Sequence, residues 1–396
     1  MTQTPVTPVT YTLPMAPASY SWEATDEEIA ARYGVAPESI VRFDLNTSPA
    51  PPEIALRVLA AGRFEAPLSE YPPTDYRRLI ETAAATYGVE PGELIVGAGA
   101  DEILDICAKA LLREGDRAVV PVPTYAMYRV VTEQRRATIV PVPRRPAADG
   151  WALDTDAIRR AAADAALVWL CDPNNPTGTQ EPDGHIEQLL SDLAGDADAA
   201  DRQPPMVVVD EAYFEFVNRS VAWLRHRHPN LIVVRTASKA YGLAGLRVGF
   251  GIATEGTMRR LAPFRPPGSL ATTSVTVVRE ALADGTGLRE NLARVDRERP
   301  RLAGALAALG WKVGPSVTNF LLVDIGTPDR AQRVAEGLLR RGLVPRTFPN
   351  GHPLAAALRV TVRTPDENDA LVAAAAEIAA ELDELPGAEQ PGRARA

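Results

Sequence analysis

Three residues in this chain could do chemistry, and each stands at or just after an apolar run. Lys239 lies in TASKAYGLAGLR, Asp210 closes VVVDEAY, and Asn175 sits in DPNNPTG. The lysine is the most informative. Among 42 basic residues, the lysines are Lys109, Lys239 and Lys312; arginine supplies the rest. A guanidinium keeps its proton in a protein, whereas an amine can lose it. A lysine kept between Ser238 and Ala240 in such a chain points to an amine that must be neutral to act.

The other motifs read as strand-end loops. GAGADE (Gly97–Glu102) follows a strand and opens a helix, a place where backbone N–H groups can cradle a phosphate. A plain tight turn explains it equally well, and the third glycine of a dinucleotide fingerprint is replaced by Glu102. Turn chemistry alone accounts for DPNNPTG, yet asparagines at the carboxyl end of a parallel strand are well placed for a ligand. Asp210 at the end of a buried strand needs a partner, or else it caps a helix.

Together these loops offer a Gly-rich turn, an amide, a carboxylate and an amine, with Ser238 and Arg247 nearby. Pyridoxal 5′-phosphate needs such a set. Its aldehyde takes an amine as a Schiff base. Its ring nitrogen takes a carboxylate that makes the ring an electron sink. Its phosphate takes N–H groups, hydroxyls and an arginine. An ordinary lysine pKa is about 10.4, so the amine's surroundings must lower it.

The motifs EYPPTDYRRL, GAGADEIL, PVPTYAMYRV, DPNNPTG, VVVDEAYFEF, RTASKAYGLAGLRVGF, TNFLLV and LRVTVRTPDEN resemble those of fold-type I pyridoxal-phosphate enzymes. The chain is similar to the class I/II aminotransferases, and to their histidinol-phosphate branch, from about residue 43 to 382. The resemblance implies roles. Lys239 would be the Schiff-base lysine and proton shuttle, and Asp210 would pair with the ring nitrogen. Asn175 and Tyr213 would bond the 3′-oxygen, and Tyr125 would stack on the ring. The main chain of Ala100 and Asp101, with Thr236, Ser238 and Arg247, would hold the phosphate. Tyr71 would reach the phosphate of a neighbouring subunit in a homodimer with shared sites. Arg359 would grip the substrate carboxylate as a bidentate fork. The implied reaction is transamination between an amino donor (glutamate, or an aromatic or phosphorylated amine) and a 2-oxo acid. Decarboxylation on the same scaffold is the alternative, and a cofactor-sensing regulator a third.

Two stretches depart from the pattern. Where the branch reads NENPYGPSP, this chain has NTSPAPPEI from Asn46, on the substrate side of the site. Arg363 replaces a glycine after LRVTV, as in threonine-phosphate decarboxylases. Arg359, Thr361 and Arg363 share one strand face, and Arg363 stands roughly 13 Å along from Arg359. It would hold the second end of a doubly anionic substrate, or form a surface ion pair.

The elements that must carry these residues follow from the apolar pattern. Short continuous apolar runs (ELIVGAG, RAVVPVP, TIVPVP, ALVWLCDP, PMVVVDEAY, LIVVRTASK, LRVGFGIA) alternate with amphipathic helices over about residues 70–285. That predicts an α/β fold: a mostly parallel sheet sandwiched by helices. A helix is expected over 185–193, with AGDADAADRQPP (194–205) as a surface loop. A smaller α+β domain follows: a helix over 288–309, strands in WKVGPSVTNFLLVDI and ALRVTVRT, and helices over 330–341 and 367–382. The expected division is a flexible arm (1–20), a segment (21–60) serving the small domain and the substrate side, a large domain (61–287), a small domain (288–385) and a disordered tail (386–396).

Composition agrees with this class. With 396 residues, 46% hydrophobic and 23% charged, the chain can bury more than one core. A net charge of −9 disfavours nucleic acid and anionic membranes. Cys107 and Cys171 sit in apolar runs and read as small buried hydrophobes. Four scattered histidines make no convincing metal site. The N-terminus lacks the basic head and apolar core of a secretory signal, so a cytoplasmic enzyme is expected.

Overall fold

Residues 24–383 are described by a computed structural model. The expected arm (1–20) and tail (386–396) lie outside them. Among the described residues twelve strands form three sheets: β1 (Val41–Arg42), β2 (Leu94–Gly97), β3 (Arg117–Val122), β4 (Thr138–Pro143), β5 (Leu167–Cys171), β6 (Met206–Asp210), β7 (Leu231–Thr236), β8 (Gly249–Ile252), β9 (Lys312–Val313), β10 (Phe320–Asp324), β11 (Leu343–Val344) and β12 (Ala357–Thr361). The large sheet has the order β2-β8-β7-β6-β5-β3-β4. β8 runs antiparallel to both neighbours, and the other six strands share one direction.

The continuous apolar runs have a direct cause. Val207 and Val209 of β6 join one buried cluster with Leu231 and Val233 of β7. Val208 joins the opposite cluster with Ile232, Val234 and Trp169. Both faces of these strands are covered, so polar residues gather towards the carboxyl ends, where Asp210 and Thr236 stand; Arg235, just before Thr236, is buried and paired with Glu211 at 3.0 Å.

The second sheet, β12-β10-β9, is antiparallel. β1 pairs with β11 in parallel, and the Thr361 N–H donates to Phe43 O at 2.8 Å, tying β1 to β12. Leu358, Val360 and Val362 face a cluster shared with Phe43 and the helices Thr286–Ala308, Pro328–Leu339 and Pro365–Asp383. This leaves Arg359 and Thr361 on the other face, as alternation requires.

Some expectations need correction. The helix that begins at His185 runs to Ala199 and takes up half of the expected loop. Ala197 is buried behind Leu189, Leu190 and Leu193, which continues the apolar stripe through an Ala- and Asp-rich stretch. The segment after Phe43 serves both units: Phe43 packs into the small core, but the helix Glu53–Ala61 places Ala55 in the large one.

Not all buried charge is paired. Arg225 forks onto Glu93, with its shortest contact at 2.6 Å, and Arg144 meets Glu181 at 2.8 Å. Glu215, by contrast, has no hydrogen-bond partner for either oxygen among the described residues. Burial pushes its carboxyl up to about 7. That lies above the ordinary value near 4.3, so folding favours the protonated form. The stability it contributes is complete below about pH 4 and is lost as pH climbs through about 7. Asp172, buried near Glu181, is also pushed up to about 7 and adds to the slope. Glu215→Gln should therefore lose less melting temperature than the parent between about pH 5 and about pH 8. Calorimetry at both values checks this; an unchanged slope would contradict it.

Candidate active site

The carboxyl ends of the parallel strands open onto a cleft of about 1190 Å³. Lys239, three residues past β7, lines its floor. Its Nζ donates to Leu45 O at 3.1 Å and lies 5.9 Å from the Tyr213 ring centroid. Burial, then the positive field of Arg359, pushes the amine down to about 8, against the opposing pull of Asp101 and Asp210.

Asp210 is wholly enclosed. Its Oδ1 accepts from the Ala212 N–H at 3.0 Å and its Oδ2 from the Tyr128 hydroxyl at 2.8 Å. Burial raises its carboxyl to about 6, against those two hydrogen bonds. Tyr213 is buried beside it and accepts from Asn46 Nδ2 at 2.9 Å. Asn46 is held in turn by Thr361, with its backbone in the left-handed region at φ 54°. Asparagine tolerates that conformation better than most residues.

At the other end of the cleft floor lies a cradle of donors. The helix Gly99–Leu111 starts there, with Ala100 and Asp101 in its first turn. Arg247 reaches Asp101 at 2.9 Å and Ser238 Oγ at 3.5 Å. The Thr236 and Ser238 hydroxyls lie 2.9 Å apart. Tyr125 donates to Asp101 at 3.0 Å. Two glycines make this approach possible. A Cβ on Gly99 would sit 2.4 Å from Arg247 Nη2, and one on Gly249 would sit 2.3 Å from the Gly99 carbonyl carbon.

Arg359 comes from the small sheet. Its Nη1 donates to Asn175 Oδ1 at 2.5 Å and its Nη2 to Asp44 O. Arg346 pairs with it across an isolated antiparallel bridge and lines the same cleft. The cleft thus presents a neutralisable amine, an enclosed carboxylate, a hydroxyl- and amide-rich anion cradle and two guanidinium groups.

A family model for aminotransferase class I and II matches residues 44–374. The chain belongs to the class I and II aminotransferases. It is 37% identical over 361 residues to the histidinol-phosphate aminotransferase of Roseiflexus castenholzii, covering 89% of this chain and 93% of that one. The Symbiobacterium thermophilum enzyme of the same name is 36% identical over 354 residues, covering 88% and 92%. A crystal structure of histidinol-phosphate aminotransferase from Sinorhizobium meliloti, in complex with pyridoxal-5′-phosphate, superimposes with a TM-score of 0.80. It is 26% identical and covers 92% of this chain and 96% of that one. L-Threonine-O-3-phosphate decarboxylase from Porphyromonas gingivalis shares the fold, with a TM-score of 0.70 at 23% identity over 85% and 98%.

The structure of this aminotransferase gathers Lys239, Asn46, Tyr125, Asn175, Tyr213 and Arg359 around one cleft, with Asp210 beneath it and the donor cradle at its end. It does not bring Tyr71 there: that side chain is 88% exposed, beside Gly268 on another face. Nor does it bring Arg363 there: of the two readings of that residue, the geometry matches the ion pair and not the substrate contact. Arg363 lies past the end of β12, bonded to Glu367 Oε1 at 2.8 Å and to Arg42 O at 3.1 Å. The strand itself ends at Thr361, two residues before it.

Sequence reasoning passed over Arg346, Tyr128 and the helix Asp26–Tyr33, whose Arg32 and Tyr33 line the cleft. The capping box of Thr25 and Glu28 was a readable signal for that helix. Arg346 had none, because only the bridge to Arg359 brings it in.

The cradle yields a test. Gly249→Ala should push Gly99 and Ala100 out of place, lowering the melting temperature by a few degrees and weakening phosphate binding at least about tenfold. Gly245→Ala, with open space around it, should do neither. Equal behaviour of the two variants in calorimetry and phosphate titration would contradict this account of the cradle.

Proposed function

We propose that this aminotransferase transfers an amino group from a phosphorylated amino donor of the histidinol-phosphate type to a 2-oxo acid, using pyridoxal 5′-phosphate. The observation that carries the reading is the placement of Lys239 between the donor cradle and the Arg346–Arg359 pair. The residues fit the cofactor. Gly99 and Gly249 let Arg247 and the Gly99–Ala100 turn close up into a cradle rich in N–H and hydroxyl donors, and Arg247 brings positive charge to it. Asp210 is a carboxylate with no room for bulk solvent.

Ala100, Asp101, Thr236, Ser238 and Arg247 would hold the phosphate. Asp210 would serve the ring nitrogen, Asn175 and Tyr213 the 3′-oxygen, and Tyr125 the ring. When bound, the cofactor supplies an aldehyde that takes up the donor amine and a ring that accepts electrons from its α-carbon. Everything else falls to the chain. Lys239 Nζ would take the α-proton and return it two atoms along, on the far side of the donor nitrogen. An amine whose proton affinity is pushed down to about 8 has a substantial neutral fraction at physiological pH, whereas an ordinary lysine has almost none. Arg359, aimed by Asn175 and Asp44 O, binds one oxyanion of the substrate. Arg346, directly opposite, serves the second charge of a phosphate. The helix Asp26–Tyr33 closes the outer wall and limits water.

The active unit is a homodimer. Exposed Tyr71 and Leu68 (72% exposed) lie beside residues 268–273. Exposed Leu56 and Leu59 sit on a helix packed against the helix 272–284. A second copy covers this face and takes Tyr71 to its own phosphate site. Among the described residues no helix is long and apolar enough to cross a membrane.

With cofactor and 2-oxoglutarate, histidinol phosphate should be consumed and glutamate formed. Lys239→Ala should lower kcat by at least about a thousandfold. Arg346→Ala should raise KM for histidinol phosphate at least about tenfold and barely change KM for phenylalanine. Equal effects on both donors would remove the phosphate role of Arg346. No glutamate from any amine would defeat the reading.

A further inference from the structure

We propose that Tyr128 is a positioning residue for Asp210, fixing the direction of that carboxylate and keeping it charged for the ring nitrogen of the cofactor. The inference rests on the reading that Asp210 serves that nitrogen.

Tyr128 is completely buried, on the first turn of the helix Met127–Gln134. Its hydroxyl donates to Asp210 Oδ2 at 2.8 Å while the Ala212 N–H holds Oδ1. The phenol cannot turn away. Its ring is stacked on Trp169, with centroids 5.5 Å apart and planes at 10°. The Tyr125 ring meets it edge-on at 5.8 Å. Trp169 is itself fixed by Nε1 donating to Thr132 Oγ1 at 3.0 Å, so helix and strand lock the pair from both sides.

The balance of forces on Asp210 shows why the bond matters. Burial and the Asp101 charge favour the protonated acid; Tyr128, Ala212 and Lys239 favour the carboxylate. The Cys171 thiol, opposite Asp210 in the sheet register, and the Tyr213 phenol also feel its charge. Burial pushes the Cys171 thiol up to about 12 and raises the Tyr213 phenol as well, so both stay neutral. Tyr128 holds its own proton firmly, because burial and the Asp210 charge raise it. It is therefore a fixed donor. Taking its hydroxyl away would leave one oxygen of a buried carboxylate without its partner, which is costly.

The test is the affinity of pyridoxal phosphate as a function of pH, in the parent, in Tyr128→Phe, in Asp210→Asn and in the double variant. Tyr128→Phe should weaken binding roughly ten- to hundredfold at neutral pH. It should also move the acid limb of the affinity profile to higher pH, since the carboxylate now takes a proton sooner. In the Asp210→Asn background the same change should add little, because the two residues act as one unit. That background also removes the phosphate's own titration from the comparison. If Tyr128→Phe does not fold, Tyr128→Gln carries the comparison, keeping a donor and retaining affinity within about tenfold of the parent. Unchanged affinity and profile in Tyr128→Phe, an equal loss with and without Asp210, or a larger loss in Tyr128→Gln would each overturn the proposal.

Discussion

The desolvation of one amine governs this site. In water Lys239 would hold its proton at neutral pH. At the bottom of the cleft it loses part of its hydration and meets the field of Arg359, and its proton affinity falls to about 8. The neighbouring acids work the other way, so the result is a balance. Asp210 and Asp101 would restore the charge on the amine, and Arg359 and Arg247 oppose them. Each of these groups is fixed by another: Asp210 by Tyr128, Asp101 by Arg247 and Tyr125, Arg359 by Asn175 and Asp44.

The fold supplies that balance through a simple division of labour. Strands buried on both faces carry few polar groups, so chemistry collects where they end. The large sheet brings Gly97, Cys171, Asp210 and Thr236 to one edge because its strands share a direction. β8 runs the other way, and so its first residue, Gly249, arrives at the same edge and lets the Gly99–Ala100 turn approach. The small sheet adds what the large one lacks, two guanidinium groups on a face that its own core does not use.

Much of this was legible in the sequence. Apolar run length gave the strands, and the run ends marked Asp210 and Lys239, because a polar residue there breaks a pattern that has a physical cause. Period-2 alternation put Arg359 on the cleft face. The misses have causes as definite. A strand face is predictable only while the strand lasts, so for Arg363, two residues past Thr361, the sequence left a substrate contact and an ion pair open, and the structure has the ion pair. Arg346 and Tyr128 owe their roles to contacts 13 and 82 residues away in sequence, which no local pattern records. The helix through Ala199 was hidden because alanine and aspartate suit both a helix and a loop, and only packing of Ala197 decides between them.

The central claim is that Lys239 is a lysine made to lose its proton near neutrality. The chain's few lysines make this directly measurable. Protein grown with isotopically labelled lysine should give one side-chain signal each for Lys109, Lys239 and Lys312, and the cofactor-free protein can be titrated by nuclear magnetic resonance. The account predicts one signal with a midpoint of about 8, absent from the Lys239→Arg variant and moved towards ordinary lysine behaviour in Arg359→Gln. If the signal lost in Lys239→Arg instead titrates near the ordinary value of about 10.4, the site does not prepare its amine, and the account of its chemistry is wrong.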